Sequence, residues 1–224
     1  FYAACNIPIF DLGPEYGMEG VTFFTATNIY VTPTTLSGIT MNFLLSLAGG
    51  LLAGYWISKG DPFWTYSGGL AGIIAASAGN DLYHPMQSLI IAGVGTVIAY
   101  KLHYWVERKF KIDDAVGAVA VHGYAGVVGL IICGFVLWGY PSSGYGVGSM
   151  WVGTDYAPIN PLGMIIGAII MFGVLGFLPG WILAKILHGA GKLRIPRDVE
   201  LAGLDYNIME AASKDEKTVA SSSR

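Results

Sequence analysis

The chain has 224 residues, of which hydrophobic types make up 54% and charged types only 12%, roughly half the charged share of about 25% usual in soluble globular domains. A formal net charge of −3, with no basic stripe to neutralise phosphates, argues against a nucleic-acid partner. Cys5 and Cys133 stand far apart, and Cys133 lies in an apolar run where a free thiol behaves as a small hydrophobe, so neither a disulfide framework nor a zinc site is expected.

In chain order, residues 1–33 combine Asp11, Glu15 and Glu19 with aromatic and turn-forming residues. They read as an external loop, with Met18 to Val31 as a partial or re-entrant apolar segment interrupted by Asn28, several threonines and Pro33. The chain opens on Phe1 rather than Met and carries no basic stretch followed by a cleavage site, so further residues are expected ahead of it. Five apolar spans follow within residues 34–189, at about Thr35–Ile57, Phe63–Asn80, Pro85–Val106, Ala115–Trp138 and Pro161–Leu187. Runs of this length match the roughly 20 residues needed to cross the hydrocarbon core. Only helices or closed barrels satisfy every backbone group in lipid, and continuous rather than alternating apolarity selects helices. The expected fold is therefore all-α, a polytopic membrane bundle of five transmembrane helices, followed by a tail over residues 190–224. The chain holds 32 glycines, many inside the spans. Those of Ser67-Gly68-Gly69-Leu70-Ala71-Gly72, and Gly123, Gly126 and Gly129 in the fourth span, read as seams where small residues let helix backbones approach.

The basic residues set the orientation. Lys59 follows the first span, Arg108, Lys109 and Lys111 follow the third, and Lys185, Lys192, Arg194 and Arg197 end or follow the fifth. Lys101 reaches the same side by snorkelling, and Lys214, Lys217 and Arg224 lie in the tail. All Lys and Arg thus fall on one side of a five-span arrangement. By the positive-inside rule that side is cytoplasmic, which predicts an outside amino terminus and an inside carboxyl terminus.

His122 is the ionisable residue that stands out. It is expected near the middle of the fourth span, where such a group is costly and faces a bundle interior or a water-filled path. At helical spacing its neighbours are Ala118, Ala125, Gly126 and Gly129, a small face with room for another helix or a narrow pore. The plainer alternative is a histidine hydrogen-bonded to an adjacent helix, and spacing alone does not choose between them. His84 and His103 lie near span ends and His188 beside basic residues, so surface or interfacial roles are expected there. Asp113 and Asp114 open the fourth span, where carboxylates favour a helix amino terminus. No acid pair, nucleophile triad or phosphate loop is present, so no enzyme chemistry, cofactor or metal site is expected.

Ile112-Asp113-Asp114, the eight-residue interval from Asp114 to His122, and His122-Gly123-Tyr124-Ala125-Gly126-Val127-Val128-Gly129 together resemble the tenth helix of the ammonium transporter (Amt, Mep and Rh) family. Lys192-Leu193-Arg194-Ile195-Pro196 and Glu200-Leu201-Ala202-Gly203-Leu204-Asp205 resemble that family's cytoplasmic tail, and Ser67 to Ile73 is similar to its eighth helix. The likeness covers about Thr34 to Asp205, as helices seven to eleven. It implies half of an inverted-repeat fold, a homotrimer with one narrow pore per protomer, and residence in the plasma or inner membrane. It also implies that His122 is the second of two pore histidines, along which a proton passes while ammonia crosses a dry channel after ammonium loses its proton outside. Arg194, Gly203 and Asp205 would belong to a regulatory tail docking under a neighbouring protomer.

The chain also departs from the family pattern. The family's first pore histidine lies in its fifth helix, which this chain does not contain, so an amino-terminal half on the same or a separate chain is needed. Gly117 stands where the family usually has an acid, and Tyr206 to Glu210 replaces the usual His-Gly. Two readings follow, ammonium or ammonia transport and a non-conducting structural or sensing subunit of a larger membrane assembly. A respiratory subunit is disfavoured, because a lone intramembrane histidine cannot supply two axial haem ligands.

Overall fold

A computed structural model describes residues 24–25, 28–29, 36–140 and 158–203. Before the first helix, Phe24–Thr25 (β1) and Asn28–Ile29 (β2) pair antiparallel with Phe24 opposite Ile29. The remainder of the expected external loop and re-entrant segment, and the tail beyond Gly203, lie outside the described residues. The helices are α1 (Leu36–Ser58), α2 (Pro62–Ser77), α3 (Pro85–Phe110), α4 (Val119–Val136), α5 (Pro161–Gly189) and the short α6 (Arg197–Ala202). Four of them, within α1 and over α3, α4 and α5, are long and apolar enough to cross a membrane. At 16 residues, α2 spans about 24 Å at 1.5 Å per residue, somewhat less than the ~30 Å hydrocarbon core. The protein is a helical membrane bundle.

The helix boundaries follow local chemistry. Asp61 accepts the Trp64 N–H at 3.3 Å and Pro62 occupies the first position of α2, where a missing N–H costs nothing. The helix α3 begins at Pro85 behind a reciprocal cap, in which His84 Nδ1 accepts the Met86 N–H at 3.3 Å and Gln87 Oε1 accepts the His84 N–H at 2.8 Å. It ends where Lys111 turns left-handed with Arg108 and Lys109 in the last turn, cations that complement the carboxyl end of the helix dipole.

The chain divides into two compact units, Phe1–Phe172 and Gly173–Arg224. In the first, α1, α2 and α3 close on one another through small residues. The Cβ that an alanine would add at Gly72 lies 2.7 Å from Gly50 Cα, and at Gly68 it lies 2.8 Å from the Gly50 carbonyl oxygen. Without a hydrophobic drive between helices in lipid, such close approach is what gathers dispersion contacts. The anticipated seam on the second span is thus a contact with α1. Gly129 abuts the Ala75 backbone of α2 and Gly126 meets the Phe172 ring, whereas a Cβ at Gly123 would meet only Val119 of its own helix, at 3.5 Å. A buried cluster of Ala71, Ala75, Ala99, Val121 and Ala125 ties α2, α3 and α4 together.

Away from the basic end, Asn42 Nδ2 donates to the Asn80 carbonyl at 2.7 Å and the Tyr83 carbonyl at 2.8 Å, holding the turn between α2 and α3 against α1. In the second unit, Lys185 Nζ stands 5.5 Å from the Trp181 ring centroid, and Arg194 pairs with Glu200 at 3.0 Å. Gly203, at φ +88°, ends α6.

Candidate functional site

The fourth span begins later than its apolarity suggests. Ala115 was the expected start, but residues 111–117 are not helical and α4 opens at Val119. Gly117 is the cause: it is buried with φ +66°, a conformation that costs a residue with a Cβ but not glycine. A Cβ there would also lie 3.2 Å from the Phe63 ring. Where the family usually carries an acid, this chain has a backbone built for glycine.

Asp114 takes over the amino terminus of α4. Its Oδ2 accepts the Ala120 N–H at 2.9 Å and its Oδ1 the Val119 N–H at 3.2 Å, satisfying donors that have no partner within the helix. Asp113 is exposed.

The same carboxylate reaches His103, with Nδ1 and Oδ2 3.5 Å apart. His103 is buried, at 9% exposure, against the faces and edges of Trp64 (5.0 Å between centroids) and Tyr104 (4.9 Å). Trp64 Nε1 donates to the Tyr104 hydroxyl at 2.9 Å, and Trp64 itself is 2% exposed. The expected surface role for His103 is therefore corrected. Its place near the end of α3 suggested an interface, but the chain after Phe110 folds back and carries Asp114 inward to meet it. Only the return of the chain after Phe110 makes His103 and Asp114 adjacent.

That return also sets the depth of His122. His103 lies seven residues, about 10 Å, inside the end of α3, a helix about 39 Å long at 1.5 Å per residue. The first turn of α4 starts level with it, and Val121 packs with Ala99 of α3 and Ala71 of α2. His122 is thus only one turn from the start of its helix, yet level with the central part of α3.

Val119–Tyr124 is a π-helix. Such turns are rare and recur at functional sites. The wider turn changes which residues share a face. Ala125 and Gly129, expected beside the imidazole, are buried against α2, whereas Ala118 and His122 are exposed and Gly126 is half-buried against Phe172. The four small residues therefore do not form one surface around His122. Instead, one side of α4 is locked into the bundle and the imidazole projects from the other. A second π-helical stretch, Ile169–Phe177, interrupts α5. Among the described residues no group of three His, Cys, Asp or Glu side chains is placed to hold a metal ion. Of the expected tail residues, Arg194 is paired with Glu200 on the surface, and Asp205 lies outside the described residues.

The Ammonium Transporter Family model matches residues 20–213. The chain belongs to the ammonium transporter family. Ammonium transporter Amt1 of Methanocaldococcus jannaschii is 30% identical over 218 residues, covering 95% of this chain and 51% of that protein. Amt2 of the same organism is 36% identical over 179 residues, covering 78% and 39%. The ammonium transporter of Corynebacterium glutamicum is 26% identical, covering 89% and 44%. The chain thus spans about half the length of the curated relatives it matches, and these relatives are named as transporters rather than enzymes. A solved structure titled "Sensor Amt Protein" superposes with a TM-score of 0.61 over 75% of this chain and 40% of that one, at 23% identity, a likeness of fold. The ammonium-transporter ancestry and the helical, membrane-spanning character expected from the sequence both stand, with four helices among the described residues long and apolar enough to cross a membrane.

Proposed function

We propose that this chain forms the histidine-bearing half of a pore that carries ammonium or ammonia across the membrane. The observation that supports the reading best is the position of His122, presented outward from a π-helical turn whose other side is locked into the bundle. An amino-terminal half, on the same or another chain, would close the pore over this surface and bring a second histidine to it. Imidazole can both donate and accept a proton. Apolar walls oppose entry of the bare cation, because an unpaired charge in a low-dielectric medium is costly. In this reading ammonia crosses as the neutral species, and the proton moves along the imidazoles.

The rest of the assignment follows the family. The protein works as a homotrimer in the plasma or inner membrane, with five spans in residues 34–189, an outside amino terminus and a cytoplasmic tail over 190–224. In that tail Arg194, Gly203 and Asp205 couple neighbouring protomers.

The deciding experiment is uptake of labelled methylammonium by vesicles containing the protein with its native partners. Uptake that is abolished by His122→Ala supports transport. Absence of uptake in the unmutated assembly, with trimers intact, favours the non-conducting structural or sensing subunit instead. Unchanged uptake in His122→Ala overturns the assigned role of the imidazole.

A further inference from the structure

We infer that His103 is a positioning residue for His122, acting through the Asp114 carboxylate. This role deepens the pore assignment made above and rests on it.

Three consecutive amides lead up to His122, and the loop before α4 satisfies all of them. Asp114 Oδ1 accepts the Val119 N–H at 3.2 Å, Asp114 Oδ2 accepts the Ala120 N–H at 2.9 Å, and the Gly117 carbonyl accepts the Val121 N–H at 2.9 Å. The first amides of a helix find no partner within it. Whatever fixes residues 114–117 therefore fixes the register of the π-turn that presents the imidazole.

The loop is held at two points. Residues 111–117 are not helical, and 111–113, 115 and 116 are exposed. Asp114 and Gly117 are the inward-facing pair, bridged by the Gly117 N–H, which donates to the Asp114 carbonyl at 2.8 Å. Gly117 lies against the Phe63 ring, which offers shape but no polar partner. Among the described residues, the polar side chain that the bundle brings to the Asp114 carboxylate is His103, with Nδ1 and Oδ2 3.5 Å apart.

His103 is itself fixed. The Trp64 and Tyr104 rings pack on it with centroids at 5.0 and 4.9 Å. Trp64 is anchored in turn by its hydrogen bond to the Tyr104 hydroxyl at 2.9 Å and by the Phe63 ring at 5.6 Å. One aromatic set thus backs both inward-facing residues of the loop. An ionised carboxylate only accepts, so the imidazole presents a proton-bearing Nδ1 to it. A separation of 3.5 Å is long for a hydrogen bond, but His103 is 9% exposed, and electrostatic attraction is stronger where water is excluded. Its part is to aim Asp114, and through it His122.

The test uses the intact protein with its native partners and compares His103→Leu, His103→Asn and His103→Gln. Leucine keeps the bulk between Trp64 and Tyr104 but has no donor. Asparagine carries its N–H on the atom that corresponds to Nδ1, and glutamine carries it one bond farther out. Amide hydrogen exchange over residues 118–124, read by mass spectrometry, should quicken about fivefold in His103→Leu, the ratio equivalent to ~1 kcal/mol for a weakened cap. The maximal rate of labelled methylammonium uptake into vesicles should fall with it while KM holds. His103→Asn should restore both, and His103→Gln should not.

Unchanged exchange in His103→Leu overturns the role, and so does recovery by glutamine as full as by asparagine. Faster exchange with unaltered uptake also overturns it, since Asp114 would then cap α4 without aiming His122. Should His103→Leu fail to assemble, the contrast between asparagine and glutamine decides. If the unmutated assembly takes up no methylammonium, the transport reading fails by itself, and positioning is read from hydrogen exchange at the imidazole Cε1 of each histidine. His103→Leu should then alter the rate at His122 but not at His84 or His188, and asparagine should restore it; an unaltered rate at His122 overturns the role.

Discussion

Replacing Asp114 with alanine should destabilise the bundle far more than replacing its neighbour Asp113. Three contacts are lost together: the hydrogen bond from Ala120 at 2.9 Å, that from Val119 at 3.2 Å, and the approach to His103 Nδ1 at 3.5 Å. Loss of a helix cap costs about 1 kcal/mol. Ala120 is fully buried, so its N–H is left without a partner at a further ~1–3 kcal/mol. The sum is about 3 kcal/mol, before any contribution from His103. For a chain of this size, ~1 kcal/mol shifts the melting temperature by about 2–4 °C, so Asp114→Ala should melt roughly 6–12 °C lower in detergent. Asp113→Ala, at an exposed position, should fall within about 2 °C. A cycle with His103→Ala should be non-additive, since both side chains belong to one contact. Equal melting of the two aspartate variants would refute the assignment of Asp114 as the residue that starts α4.

Gly68→Ala should lower the melting temperature by an amount equivalent to about 1–3 kcal/mol, the usual cost of overpacking, because its new methyl meets backbone at Gly50 and Gly54. Gly180→Ala meets nothing within 4 Å and should be neutral or gain up to about 1 kcal/mol of helix propensity. Trp64→Phe removes the donor to Tyr104 at 2.9 Å and should cost about 1 kcal/mol, read in the same melting assay. In the turn between α2 and α3, burial raises the Asp81 carboxyl above its ordinary value of 3.8, against backbone hydrogen bonds from Asp81 and Leu82 that lower it. A folded-state value above the unfolded one makes the ionised carboxylate a burden that grows as pH rises from below 3.8 through the raised value. Asp81→Asn should therefore stabilise the protein at neutral pH, and its advantage over the unmutated protein should vanish in melts below pH 3.8.

Much of the membrane architecture was legible locally. Thr35–Ile57 was expected and Leu36–Ser58 found; the third helix starts at Pro85 and the fifth at Pro161 as anticipated. The third and fifth helices are each announced by a proline behind a capping side chain, His84 and Asn160, and the first ends just before Lys59. The glycine seam of α2 was equally readable, because only close backbone approach gives a membrane helix a use for so many small residues. The start of α4 was not. Apolarity carries on through Ala115 and Val116, and no hydropathy pattern reports that Gly117 turns left-handed or that Asp114 reaches forward to Val119 and Ala120.

His122 shows where local reading ends. Its chemistry, its helix and its family motif are properties of neighbouring residues, so the sequence determined by itself that an imidazole would sit in a membrane helix of an ammonium-transporter fold. Which way that ring points was decided by tertiary structure, since a π-turn rotates Ala125 and Gly129 onto α2 and leaves the imidazole outside. The same holds for His103, whose burial depends on Asp114 and Trp64 arriving from other segments. Hydropathy and helical period act over a few residues along the chain. Burial and partner choice depend on which distant segments share a contact, and a contact across tens of residues leaves no periodic trace in the sequence.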